Sequence, residues 1–163
     1  MGLGSCFLLG DTRDDMAQIY ITADHGGFEL KNKLREHLQA KGYLVTDLGP
    51  EKLDMNDDYP DYAKRLTDAI QADPQAMGIA ICRTSEGMCM AINRATSLRA
   101  ASAWNVEIAK KSREHNDANA LCLSADVVDD DTNVAITEAW LSTPFSGDER
   151  HVRRLKKIDA LFK

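Results

Sequence analysis

A chain of 163 residues with 44% hydrophobic content is long enough for one domain with a buried core, and its formal charge of −6 argues against a general nucleic-acid binder. No apolar run approaches the ~20 residues of a membrane-spanning helix. Cys6, Cys82, Cys89 and Cys122 form no C-x-x-C pair and no zinc spacing with histidine, so we expect no metal and unpaired thiols in a reducing, cytoplasmic setting.

MGLGSCFLLGDTRDD (1–15) differs in composition from the rest of the chain. It misses an N-myristoylation motif because Cys6 stands where Ser or Thr is needed. Its LGSC lacks the basic and apolar lead of a lipoprotein signal. Residues 1–15 are read as an extension of no defined function, and 16–163 as a single domain.

AQIYITA (17–23) predicts the first strand, from its β-branched and aromatic content. GGFELKNKLREHLQAKG predicts a helix, with Leu30, Leu34 and Leu38 on one face and Gly42 as its stop. YLVTDLG (43–49) is a second strand, and a polar loop leads to Pro60 at the first turn of a helix that breaks at Asp73-Pro74. MGIAIC (77–82) is a third strand, with a helix from about Gly87. SLRAASA (97–103) and NALCLSA (119–125) are the fourth and fifth, each followed by a helix, over 105–115 and 130–143. An amphipathic helix over 150–162 ends the pattern, with Val152, Leu155, Ile158 and Phe162 on one side. Short apolar strands alternating with helices predict an α/β fold, a five-stranded parallel sheet covered by helices on both faces. Such sheets bind ligands at the C-terminal ends of their strands, near the switch in strand order.

Four polar clusters stand out. Asp24-His25-Gly26-Gly27 follows the first strand and suits proton transfer beside an anion, but equally describes a capped helix start. Cys82-Arg83-Thr84-Ser85-Glu86-Gly87 follows the third. A thiol at a strand end before a helix is a setting for reactive cysteines, and Thr84, Ser85 and the backbone up to Met88 could cradle an oxyanion. It is neither a Walker loop nor GxGxxG, and a core cysteine followed by a cap explains it as well. Glu114-His115-Asn116-Asp117-Ala118-Asn119 is otherwise a helix-to-strand turn. Arg150-His151 with Arg153 and Arg154 is otherwise a solvated helix face, although Arg150 and Arg154 are i, i+4 neighbours able to clamp one phosphate.

Together, ADHGGFELK, the strand-end Cys-x-Thr, REHNDAN and the terminal RHxxR resemble the type B ribose-5-phosphate isomerases, a family that includes the galactose-6-phosphate isomerase subunits. The resemblance covers about residues 17–160. It implies a three-layer, Rossmann-like (flavodoxin-like) fold and a homodimer or dimer of dimers with shared active sites, the C-terminal helix reaching the partner. It implies an aldose–ketose isomerisation of a sugar phosphate through an enediolate, with no metal or other cofactor. Position by position, Cys82 matches the catalytic base and Thr84 its partner near the carbonyl. Asp24 and His115 match the ring-opening and proton-shuttling groups, Asn116 a sugar hydroxyl contact, and the Gly87 turn the enediolate cradle. His25, Arg150 and Arg154 match phosphate contacts, the arginines coming from the partner.

The chain departs from the family's Cys-Gly-Thr-Gly-x-Gly loop at Arg83 and Ser85, where positive φ would be strained, and Glu86 adds a negative charge. Ser124-Ala125-Asp126 stands where many members carry a further phosphate-gripping arginine. Two consequences stay open: a substrate other than ribose 5-phosphate, with Arg83 as replacement cation and Glu86 bonded to a sugar hydroxyl, or a phosphosugar-binding protein without turnover.

Overall fold

The structure is a computed structural model that describes residues 17–161. The expected extension (1–15), with Cys6, and the end of the last helix at Phe162 lie outside the described residues.

Five strands form one parallel sheet: β1 (Ile19–Ala23), β2 (Val45–Asp47), β3 (Met77–Cys82), β4 (Ala100–Ser102) and β5 (Ala120–Ser124). Between and after them run α1 (Phe28–Ala40), α2 (Tyr59–Ala72), α3 (Glu86–Ile92), α4 (Val106–Asn116), α5 (Asp130–Ser142) and α6 (Glu149–Leu161). The strand order is β2-β1-β3-β5-β4, so the chain reverses direction across the sheet between β1 and β3.

The period-2 alternation of the strands divides the core. Ile19, Ile21, Ile79, Ile81, Leu121 and Leu123 face α1, α4 and α5, where Leu30, Leu34, Leu38, Ala109, Ile136 and Trp140 meet them. Ala80, Cys82, Ala120 and Cys122 face α2 and α3, packing on Leu66, Ile70, Met88 and Ile92. Small residues on this second face let the helices lie close: a Cβ on Gly78 would come within 2.6 Å of Ile70. This is the expected three-layer α/β/α arrangement. No helix among the described residues is long and apolar enough to cross a membrane.

β2 and β4 are shorter than the sequence suggests because each is an edge strand with one neighbour. Pairing nevertheless runs past their ends, through Leu48 N–H to Ile21 O and Ala103 N–H to Cys122 O. Gly42 stops α1 as expected, at φ +90°. α6 packs against α4, outside the layer that covers the sheet.

One buried charge ties the β2 edge to α1. The Lys31 side chain is 1% exposed and pairs with Asp47, which also receives Arg35 at 3.0 Å and the Gly49 N–H at 2.9 Å. An ammonium out of water is tolerable only while its carboxylate stays. Asp47→Ala should therefore lower unfolding stability by about 3 kcal/mol, and Lys31→Met/Asp47→Leu should recover most of it, both read from chemical denaturation.

Candidate active site

Asp24, Cys82 and Ser124 form a row across the working edge of the sheet. The register pairs Ala23 with Ile81 and Cys82 with Ser124, so Asp24 follows β1 beside the end of β3, where the strand order switches. Cys82 is 5% exposed. Its carbonyl accepts from Ala125 N–H at 3.0 Å, and the Arg83 carbonyl accepts from Asp126 N–H at 3.0 Å and Ser124 Oγ at 2.7 Å. The loop after β3 is thus stitched to the loop after β5.

Asp24 caps the turn at its own loop. Its Oδ1 accepts the Gly26 and Gly27 N–H groups at 3.0 and 3.2 Å. Burial pushes its carboxyl above the usual 3.8 despite those bonds, which suits a group that must take and return protons. Both glycines are needed for space. A Cβ on Gly27 would meet Ile81 backbone at 2.7 Å, and one on Gly26 would meet the Arg83 side chain at 2.5 Å.

His25 is held by Asp57, which sequence reasoning missed. Asp57 Oδ1 accepts the His25 N–H at 3.0 Å and lies 2.6 Å from ring Nδ1. The Asp57 side chain is 7% exposed, and burial alone would raise its carboxyl. Hydrogen bonds from the His25 backbone and ring outweigh that and hold it below 3.8. Nothing distinguishes Asp57 from Asp54, Asp58 and Asp61 in one sequence, since the loop that brings it to β1 has no period. Tyr59 was also missed: its ring lies over Gly87, where a Cβ would come within 2.9 Å.

Of the two non-glycine positions suspected of strain, one has it. Ser85 has φ +69°, whereas Arg83 is not among the positive-φ residues. The Ser85 side chain is buried and turned toward β4, where its Oγ is 2.5 Å from Ser102 Oγ. Ser102 donates to Glu86 Oε1 at 3.2 Å, so the Glu86 carboxylate is tied to β4. Arg83 crosses over Gly26 and pairs with Asp126 at 3.1 Å, both half exposed. Thr84 is exposed at the loop's tip.

The other thiols differ. Cys122 is fully buried, and its thiol is raised well above 9.0 by the neighbouring Cys89 thiol and by burial. Cys89 is half-buried and lowered by the same neighbouring thiol.

His115, Asn116, Arg150 and Arg154 stand elsewhere. α4 returns antiparallel to the strands, so its last turn, with His115 and Asn116, lies at the N-terminal edge of the sheet. The row of Asp24 and Cys82 lies at the other edge, about 15 Å away for a five-residue strand. α6 joins the His115 cluster. The rings of His115 and His151 are 4.4 Å apart, and Arg150 and Arg154 flank His151 on the helix. His151 is 3% exposed, bonded to Ser146 Oγ at 2.8 Å, and lowered below 6.5 by burial and then by the charge of His115. One chain therefore places the expected residues in two separate groups, one at each edge of the sheet.

The His25–Asp57 pair makes a prediction about acid stability. A depressed carboxyl contributes stability above its unfolded value and loses it as pH falls through the folded one. The difference in unfolding free energy between the native chain and Asp57→Asn should be about 1–3 kcal/mol at neutral pH. It should hold down to pH near 3.8 and shrink below, as denaturation across pH would show.

Comparison with known proteins places the chain. The family model Ribose/Galactose Isomerase matches residues 19–158. A probable ribose-5-phosphate isomerase B of Mycoplasma pneumoniae is 45% identical, over 87% of this chain and 93% of the relative. Ribose-5-phosphate isomerase B of Mycobacterium tuberculosis is 35% identical, over 85% of each. The crystal structure of the Mycoplasma genitalium ribose-5-phosphate isomerase B, with bound ribulose 5-phosphate, matches with TM-score 0.86 and 41% identity, over 88% of this chain and 95% of that one. The Thermotoga maritima isomerase matches with TM-score 0.84 and 40% identity, over 88% and 98%. The chain belongs to the ribose/galactose isomerase family.

Proposed function

We propose that this chain interconverts an aldose phosphate and its ketose phosphate, and that two copies complete each other's sites. The observation that carries this is the row of Asp24 and Cys82 on neighbouring strands at the switch in strand order. It puts a thiol and a raised carboxyl side by side where ligands bind such sheets.

Asp24 moves the ring proton that opens the sugar, with His115 of a second copy as the other proton carrier. Cys82, as thiolate, takes the proton from C2 while the C1 carbonyl oxygen becomes the enediolate oxygen. Thr84 and the backbone N–H groups near Gly87 stabilise that charge. The carbon-bound proton returns to C1 while the C2 hydroxyl proton passes by way of Thr84 to the C1 oxygen, so C2 becomes the carbonyl, C1 the alcohol, and nothing is oxidised overall. His25, held by Asp57, meets the phosphate with Arg150 and Arg154 of the second copy. Asn116 of that copy bonds a hydroxyl.

Surface features favour a second copy as the partner. The N-terminal half of edge strand β4 borders a cleft of about 850 Å³ closed by Leu98, Asn116, Leu155 and Ile158. Met90 on α3 and Trp104 after β4 are 65% and 57% exposed. A symmetric pair would bury such surface and carry one copy's His115 edge to the other's Cys82 edge.

Ribose 5-phosphate is the first substrate to test, given the relatives' activity. Arg83 and Asp126 form an exposed pair, worth less than ~1 kcal/mol, so a substrate anion competes for Arg83 at little cost. The chemistry is that of a cytoplasmic metabolic enzyme.

Assays over tetrose, pentose and hexose phosphates should find turnover on at least one, with ribose 5-phosphate first. Cys82→Ala should lower kcat by about 10³-fold or more and leave binding within a few-fold, measured by calorimetry. Normal turnover by that variant would overturn the base assignment. No turnover on any phosphate, with binding intact, would establish a binding protein. Alkylation mapped in a Cys89→Ser background should modify Cys82 before Cys122, with protection by substrate.

A further inference from the structure

Two described non-glycine residues have positive φ, and they differ in kind. Asp117, at φ +45°, ends α4, and its carboxylate is gripped by Arg99 and Arg113, an ordinary helix stop. Ser85, at φ +69°, lies in the loop between Cys82 and α3. A side chain there opposes the left-handed conformation, which glycine adopts freely.

What holds Ser85 comes from another strand. Its one proton is shared between the Thr84 carbonyl and Ser102 Oγ, 2.5 Å away, so Ser85 donates and Ser102 accepts. Ser102, the last residue of β4, spends its own proton on Glu86 Oε1 at 3.2 Å. One hydroxyl thus secures both residues after Thr84. The Thr84 side chain itself has no hydrogen-bond partner among the described residues, so its position depends on the backbone of this turn.

We propose that Ser102 is a positioning residue for the isomerisation. It locks Ser85 in the left-handed turn, keeps Thr84 beside Cys82, and restrains the Glu86 carboxylate from the developing enediolate. Ser102 acts through Ser85, Thr84 and Glu86. The functional half of this inference rests on the isomerase reading above.

Loss of the hydroxyl leaves Ser85 without its anchor and Glu86 without its donor. Ser102→Ala should lower kcat about tenfold, with KM within twofold and the thermal midpoint nearly unchanged. Ser102→Thr, which keeps the hydroxyl, should retain most of kcat. Ser85→Gly/Ser102→Ala should recover much of the loss, because glycine takes positive φ unaided.

Kinetics of these variants, with crystal structures of the native chain and Ser102→Ala, make the test. A turn at Ser85 that relaxes together with a swing of Glu86 supports the anchoring role whether or not any sugar phosphate is turned over. An unchanged turn, or an active native enzyme with normal kcat in Ser102→Ala, overturns the proposal. A kcat loss that Ser85→Gly does not restore overturns the route through Ser85. An inactive native chain with a relaxed turn in Ser102→Ala would instead count against the isomerase reading alone.

Discussion

Every crossover helix in a parallel sheet must run back against the strands, and that one constraint decides what a single copy can assemble. Residues that follow a strand gather at one edge; residues that end a helix gather at the other. Asp24, His25 and the Cys82 loop follow β1 and β3, while His115 and Asn116 end α4. The contact of the His115 and His151 rings then holds the arginines of α6 at the second edge. Packing more tightly would not bring the two groups together, because the strand length separates them. In the proposed symmetric pair, a second copy brings its His115 edge to the Cys82 edge of the first.

At the first edge, the local chemistry is arranged by charge and backbone rather than by glycine alone. Asp24 is buried, capped and raised, while Asp57 is buried, doubly bonded by His25 and lowered. Two carboxyls in neighbouring loops are thereby given different work, one able to exchange protons and one to hold an imidazole in place. The extra charges of the loop are also accommodated. Arg83 answers Asp126 across the mouth, and Glu86 answers Ser102.

Much of this was legible in the residues. Leu30, Leu34 and Leu38 marked α1, MGIAIC matched β3 residue for residue, and Gly42 stopped its helix at positive φ. The clusters at Asp24 and Cys82 followed from the rule that ligands sit at strand ends, and the structure places them side by side. Ser85 showed the strain anticipated for it, but Arg83 did not. Asp57 and Ser102 were not legible, for a physical reason. Their partners lie 32 and 16 or 17 residues away, across a loop and an edge strand, and neither a loop aspartate nor a serine among alanines carries a local signal.

The central claim is that each active site draws on two copies. Cys82→Ala and His115→Ala should each be inactive alone. Mixed by reversible denaturation and refolding together, they should form pairs in which one site holds both native residues, recovering roughly a quarter of native activity at equal amounts. Recovery near that level would bear the account out. A mixture that stays as inactive as its parts, while native chains carried through the same cycle regain full activity, would contradict it.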